Sequence, residues 1–197
     1  MTADQSDDGT LAQRIAAGDE AAFVELYRRR SRGVYRFAYQ MSGSAAVAEE
    51  VVQDVFLALM REAGRFEPAR GSFLSYLYGI ARNHVLRQQR RRPFVALNAR
   101  PDIVERLRAS DDPLADAVRE DTAAMVRRAV HSLPPHYREA ILLCDIEGLD
   151  YRDAALVIEC PIGTIRSRLA RARALLADKL RERLAPQSAD VRVGCAT

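Results

Sequence analysis

The chain has 197 residues, 48% of them hydrophobic and 29% charged, with a formal net charge of +3; this composition suits one ordinary folded domain or two small ones and excludes a disordered chain. Aromatic residues make up only 7% and tryptophan is absent, so any core is built mostly from Ala, Leu, Val and Ile, which points to helices. The cysteines Cys144, Cys160 and Cys195 form no CxxC pair, which fits a reducing cytoplasm better than a disulfide framework, and no apolar run reaches the roughly 18 residues of a membrane span.

The opening MTADQSDDGT is polar and acidic, so residues 1–9 are expected to be disordered and are no signal peptide. Residues 11–41 carry Ile15, Phe23, Leu26, Tyr27, Val34 and Phe37 at helical intervals, with a break at Gly18-Asp19. Residues 44–63 place Val52, Val55, Phe56, Leu59 and Ala63 on one helical face. On the opposite face stand Glu50, Asp54, Leu57 and Arg61. A lone exposed Leu is ordinary, but one with a charged rim also fits a protein-binding face. A third helix is expected over 72–92, with Ser72 as N-cap, a stripe of Phe73, Leu77, Ile80 and His84, and Pro93 as its stop. It ends in the basic run RQQRRR, and Tyr76 and Tyr78 lie upstream. One or two of those arginines suit the helix dipole; four beside aromatic rings suit unpaired bases and their backbone.

Residues 93–119 contain Pro93, Pro101 and Pro113 and read as a flexible linker. A second helical block spans 120–184, and residues 185–197 read as a flexible tail. The block parses as helices over 122–131, 135–146 and 151–158, a break at Glu159-Cys160-Pro161, and a last helix opened by Gly163 with Thr164 as N-cap. A short helix, a tight turn and a longer arginine-rich helix make a helix-turn-helix. Residues 161–185 hold seven basic and two acidic residues, whereas residues 1–60 hold six arginines against nine acidic residues; such clustering suggests a polyanion partner. Ile165, Leu169, Ala172 and Leu176 form the inward stripe. Arg166, Ser167 and Arg168 lie near the helix start, within reach of bases, and Arg171 and Arg173 suit phosphates. The plain alternative is a solvated helix closing a bundle. A helix-turn-helix by itself leaves repressor, activator and promoter-recognition factor open.

The motifs AAGDEAAFVELYRRR, AEEVVQDVFLALM, FLSYLYGIARNHV, LPPHYREAILL, GLDYRDAA and PIGTIRSRLARARALL follow one another over residues 10–182. In this order they resemble the extracytoplasmic-function sigma factors of the sigma-70 family. The resemblance implies an all-α protein with two small helical domains on a flexible linker: a σ2 bundle over 10–92 and a σ4 helix-turn-helix over 120–184. It implies a cytoplasmic promoter-specificity subunit without enzymatic activity, cofactor or metal. Its implied partners are core RNA polymerase (the β′ clamp helices and the β flap), promoter DNA and an anti-sigma factor. By motif position, Glu50, Gln53, Asp54 and Leu57 would meet the polymerase, while Phe56 belongs to the core. Phe66, Ser72, Tyr76, Asn83, Arg87, Arg90 and Arg91 would hold the −10 strand, with Asn83 and the loop 66–72 lining a pocket for a flipped base. Thr164, Arg166, Ser167, Arg168, Arg171 and Arg173 would meet the −35 duplex.

Three residues depart from the family pattern. Tyr76 stands where Trp is usual, Arg87 where Asp is common, and Glu159 replaces the usual Gly of the helix-turn-helix turn, at roughly 1 kcal/mol if the backbone there is left-handed. Two other classes deserve weighing. One is a stand-alone dimeric helix-turn-helix regulator. The other is a metal-dependent nucleic-acid enzyme using His131, His136 and Cys144, whose spacing matches no zinc site.

Overall fold

The computed structural model describes residues 3–91 and 113–184, and every regular element among them is helical. The N-terminal set comprises α1 (Ala3–Ala16), α2 (Glu20–Ser42), α3 (Ala45–Glu62), a single 3-10 turn (Ala63–Arg65) and α4 (Phe73–Arg91). The C-terminal set comprises α5 (Pro113–His131), α6 (Pro135–Ile141) running into a π-helical turn (Leu142–Ile146), α7 (Tyr151–Ile158) and α8 (Ile162–Leu184).

Local chemistry sets most of these boundaries. Asp19 caps α2, accepting a hydrogen bond from the Ala22 N–H at 3.1 Å, and also pairs with Arg14 at 2.7 Å. The Arg14 hydrogen bond first, and the Ala22 N–H second, hold its carboxyl below the usual carboxylate range. Ser72 caps α4 through the Ser75 N–H at 3.2 Å, as its position in the sequence suggests. Asp150 caps α7 through the Asp153 N–H at 2.7 Å. Glu159 ends α7 at φ 60° and ψ 49°, the left-handed conformation anticipated for a turn where Gly is usual, so the cost of roughly 1 kcal/mol applies.

The buried residues form one continuous cluster through both sets of helices. Leu26, Val34 and Phe37 of α2, Val55 and Leu59 of α3 and Leu77 of α4 are fully buried in the first set; Leu142, Leu143, Ile165, Leu169 and Ala172 are buried in the second. The α3 stripe and the α8 stripe thus lie where periodicity places them, and Phe56 is core.

Several expectations are corrected. Residues 1–9 do not stay disordered throughout, because α1 begins at Ala3. Asp8 is fully buried against Arg30 at 2.5 Å and Arg29 at 3.7 Å, and Leu11 and Ile15 anchor the next turn. These partners lie some twenty residues away, which local polarity does not register. Tyr27 leaves the α2 stripe and is 44% exposed. On α4 the buried side is wider than one stripe. Leu74, Tyr78, Ala81 and Val85 are buried, while Ile80 and His84 are only half covered, because α4 packs on α2 and α3 and also on α7. Thr164 is not the N-cap of α8. The helix starts at Ile162, and the Thr164 N–H donates to the Pro161 carbonyl at 2.9 Å. Residues 113–119, expected within the linker, are helical in α5; the rest of the expected linker and the tail 185–197 lie outside the described residues.

Candidate nucleic-acid and protein interfaces

α7, the left-handed turn at Glu159 and α8 form the helix-turn-helix. Ile165, Leu169 and Ala172 are buried beneath it, so the other side of α8 faces outward. Arg166, Ser167 and Arg171 are exposed, and Thr164 and Arg168 are half-buried. The Ser167 hydroxyl donates to the Thr164 carbonyl at 3.0 Å. Arg173 is engaged differently: its guanidinium forks onto Asp145 of the π-helical turn at 2.9 and 2.6 Å. These hydrogen bonds raise its basicity further and commit its guanidinium to Asp145, although the side chain is exposed. Of the residues assigned to phosphates, Arg171 is the one with a free approach.

The second candidate site lies on α4 and the loop before it. A cavity of about 500 Å³ is lined by Phe66, Gly71, Ser72, Tyr76 and Asn83, among others. Phe66 packs edge-on against Phe73 at 5.4 Å and lies 5.8 Å from the Tyr76 ring. The Tyr76 hydroxyl donates to the Glu62 carbonyl at 3.3 Å, and burial raises its pKa above the usual tyrosine value. Asn83 and Arg90 are exposed; the Arg91 side chain is not among the described ones. Arg87 is exposed but engaged, 2.7 Å from His84 Nδ1 and 3.6 Å from Asp54. Tyr78 does not join the aromatic site. It is buried, and its hydroxyl donates to Glu147.

The same cavity has a wall that the sequence did not disclose. Leu156, Val157 and Glu159 of the C-terminal set line it from above. Their sequence signal is slight: Leu156 is an apolar residue on the outer side of a short amphipathic helix, and it is 49% exposed.

The third face is on α3. Glu50, Gln53 and Leu57 are exposed, and Leu57 shows 47% of its surface. Asp54 is half-buried, 2.7 Å from His84 Nδ1. The Glu50 carboxylate accepts from the Gln88 amide. Both carboxylates therefore tie α3 to α4 as well as border Leu57. Sequence reasoning missed the apolar neighbours: Val24, Tyr27 and Met60 are also exposed, Met60 by 60%. Tyr27 packs on Phe56 with ring centroids 4.7 Å apart, one turn from Met60. The i, i+3 pairs Val24/Tyr27 and Leu57/Met60 were the available signal.

His131, His136 and Cys144 form no metal-binding group among the described residues. The His131 Nδ1 faces the Gln40 carbonyl at 3.0 Å, and burial pushes the Cys144 thiol up to about 11, away from reactive thiolate character. Among the described residues no helix is long and apolar enough to cross a membrane.

Comparison with known proteins covers both sets of helices. Residues 26–93 match the family model for sigma-70 region 2, and residues 123–176 match that for sigma-70 region 4. The ECF RNA polymerase sigma factor SigE of Mycolicibacterium smegmatis is 37% identical over 170 residues, covering 84% of this chain and 65% of that protein. The RNA polymerase sigma-H factor of Pseudomonas aeruginosa is 32% identical over 177 residues, covering 86% of this chain and 91% of that protein. Among solved structures, the sigma factor RpoE of Bartonella quintana, in complex with the anti-sigma factor NepR, is similar at a TM-score of 0.63 and 27% identity, covering 81% of this chain and 96% of that one.

Proposed function

The chain belongs to the extracytoplasmic-function sigma factors of the sigma-70 family, and from that premise we propose that it binds core RNA polymerase and directs it to promoters. In this reading the exposed start of α8 reads a −35 duplex, and the α4 cavity with Asn83 captures a strand of the −10 element. The Leu57 face of α3 meets the polymerase. The observation that carries the reading is the pairing, within one chain, of a helix-turn-helix with outward arginines and a separate aromatic-lined cavity beside a basic helix.

The division of labour follows from the chemistry of each site. Arg166 and Ser167 stand near the N-terminus of a helix in the position that enters a major groove, where bidentate arginine contacts specify guanine. The cavity is bounded by rings and an exposed amide, groups that suit an unstacked base rather than a duplex. Turning a base out of the stack costs a few kcal/mol. Polymerase-anchored binding at two points supplies that energy only when both elements lie at the right spacing. The protein performs no covalent chemistry in this account and acts in the cytoplasm, where polymerase and promoter are. The Bartonella quintana likeness supports control by an anti-sigma factor.

Run-off transcription with purified core polymerase tests the function. Promoter-specific transcripts that need both the chain and core polymerase are expected. Tight, specific promoter binding by the chain alone in a gel shift would instead identify a stand-alone regulator and overturn the proposal.

Within α8, Arg166→Ala is expected to cost about 1–3 kcal/mol of −35 binding and to relax choice at one base pair. Affinities for a set of single-base variants of the duplex measure this. An equal loss on every variant would make Arg166 a phosphate contact.

A further inference from the structure

A second cavity, of about 550 Å³, lies where α1, the loop before α4 and the start of α7 meet, within the size range of small-molecule sites. α1 contributes Gly9 and Gln13, the loop contributes Phe66 and Pro68, and α7 with its cap contributes Asp150 and Asp153. It shares Phe66, Gly71 and Ser72 with the Asn83 cavity as a common wall, but neither Asn83 nor Tyr76 lines it.

Asp153 sets the chemistry of this cavity. The residue is 8% exposed. One oxygen of its carboxylate takes the Ser72 N–H at 3.4 Å, a long hydrogen bond. The other has no hydrogen-bond or ion-pair partner among the described residues. A carboxylate in the first turn of α7 suits the helix dipole, which accounts for its sign but not for its burial without a partner. Burying a charge is costly unless it is paired. Gly71 keeps the carboxylate open, since a Cβ there would lie 3.3 Å from Asp153 Oδ1. Asp150, whose Oδ1 accepts the Asp153 N–H, adds a second negative charge, and Arg152, exposed, adds one positive charge. The lining is therefore negative on balance, which repels a nucleic-acid phosphate and attracts a cation.

The rest of the wall is largely apolar. Phe66 and Phe73 meet edge-on at 5.4 Å, and Pro68 and Ala69 continue the surface. Aromatic faces add attraction for a cation beside them. A bare metal ion would have no use for the rings, and no group of three metal-ligating side chains forms among the described residues.

We infer that this cavity is a binding site for a small organic cation: an ammonium or amidinium group that pairs with Asp153, carried on a short apolar or aromatic body that lies against Phe66 and Pro68. The charge of the ligand offsets the cost of the buried carboxylate. Its body excludes water from the pair, which strengthens the pair. Gln13 and Asp150 offer acceptors for the remaining N–H groups. The site stands independently of what fills the Asn83 cavity, because no basic residue of α4 lines it.

Benzylammonium is the probe, with benzyl alcohol and benzoate as neutral and anionic controls of similar shape. The full isotope-labelled chain is titrated and followed by NMR at the amide signals of Gly9, Gly71 and Gly148, which line the cavity from three separate segments, and of Gly163, which does not. Benzylammonium is expected to shift the three cavity signals together, with a Kd of about 1 mM or tighter, and to leave Gly163 in place. Both controls are expected to bind at least about tenfold more weakly. Asp153→Asn keeps the size of the side chain but removes its charge, and is expected to weaken the probe about tenfold or more. Gly9→Leu fills the cavity from α1 with every charge in place, since a Cβ at Gly9 meets Phe66 at an ordinary 3.7 Å. It is expected to abolish binding, and it decides the matter if Asp153→Asn fails to fold. Absence of the three shifts with benzylammonium, equal affinity for benzyl alcohol, or unchanged affinity in either folded variant would each overturn the site.

Discussion

Leu57→Asp is expected to weaken binding to core RNA polymerase by more than about 2 kcal/mol, roughly thirtyfold, while the melting temperature of the chain stays within about two degrees of wild type. The side chain sits on the outer face of α3, turned away from the buried Val55 and Leu59 and bordered by exposed Glu50 and Gln53. An apolar centre with a polar rim is the anatomy of a protein interface. Placing a carboxylate at that centre requires its desolvation on docking, without a partner built to receive it. Because Leu57 contributes little to the core, the fold has no reason to change. Quantitative pull-down with core polymerase, beside a thermal melt, measures both halves. Unchanged affinity would remove α3 from the polymerase interface and leave Val24, Tyr27 and Met60 as an apolar face in need of another partner.

Leu169→Ala is expected to cost about 2–5 kcal/mol of stability in the C-terminal helices, and the helix-turn-helix would lose duplex binding through unfolding rather than through a missing contact. Leu169 is 1% exposed and lies between the buried Ile165 and Ala172 on the inner face of α8. A cavity there separates the recognition helix from the α6 helix on which it packs most closely. Against a total stability of roughly 5–15 kcal/mol for a small domain, that is a large share. Denaturant melts followed by circular dichroism check it. A loss under about 1 kcal/mol would mean that the stripe is not the seat of α8. Paired with Arg166→Ala, the two substitutions divide the helix by face. One should lower stability and binding together, and the other binding alone.

How far the site was legible depends on the range of the forces that build it. The α3 and α8 stripes follow from a repeat of 3.6 residues, and the Asp19 and Ser72 caps from side chains three residues from their targets. Such features are written over a few turns. The residues themselves showed only a tight break at Glu159-Cys160-Pro161; the left-handed Glu159 was anticipated from the family resemblance, in which Gly is usual at that turn. The cap was misplaced by three residues, because the Pro161 carbonyl starts α8 earlier than Thr164 would. Tyr27 was misplaced because its ring packs on Phe56 of α3 at the rim of the bundle, which covers it in part and leaves the rest in solvent.

By its sequence alone, then, this protein was determined to be all-helical, built from two amphipathic sets, with arginines on the outer face of a helix-turn-helix and a Leu on a charged face of α3. Each of those follows from local periodicity, capping and composition. Only the tertiary structure decided that α1 joins the bundle through buried Asp8, that Tyr78 serves the interior, that Arg173 is held by Asp145, and that Glu139, Glu147 and Asp153 meet Arg82, Arg36 and the Ser72 N–H across the two sets of helices. Arg36 and Glu147 are 111 residues apart in the chain. No periodicity links such positions, because their pairing is set by how whole helices pack, and a carboxylate reads the same in the sequence whether it faces water or a buried guanidinium.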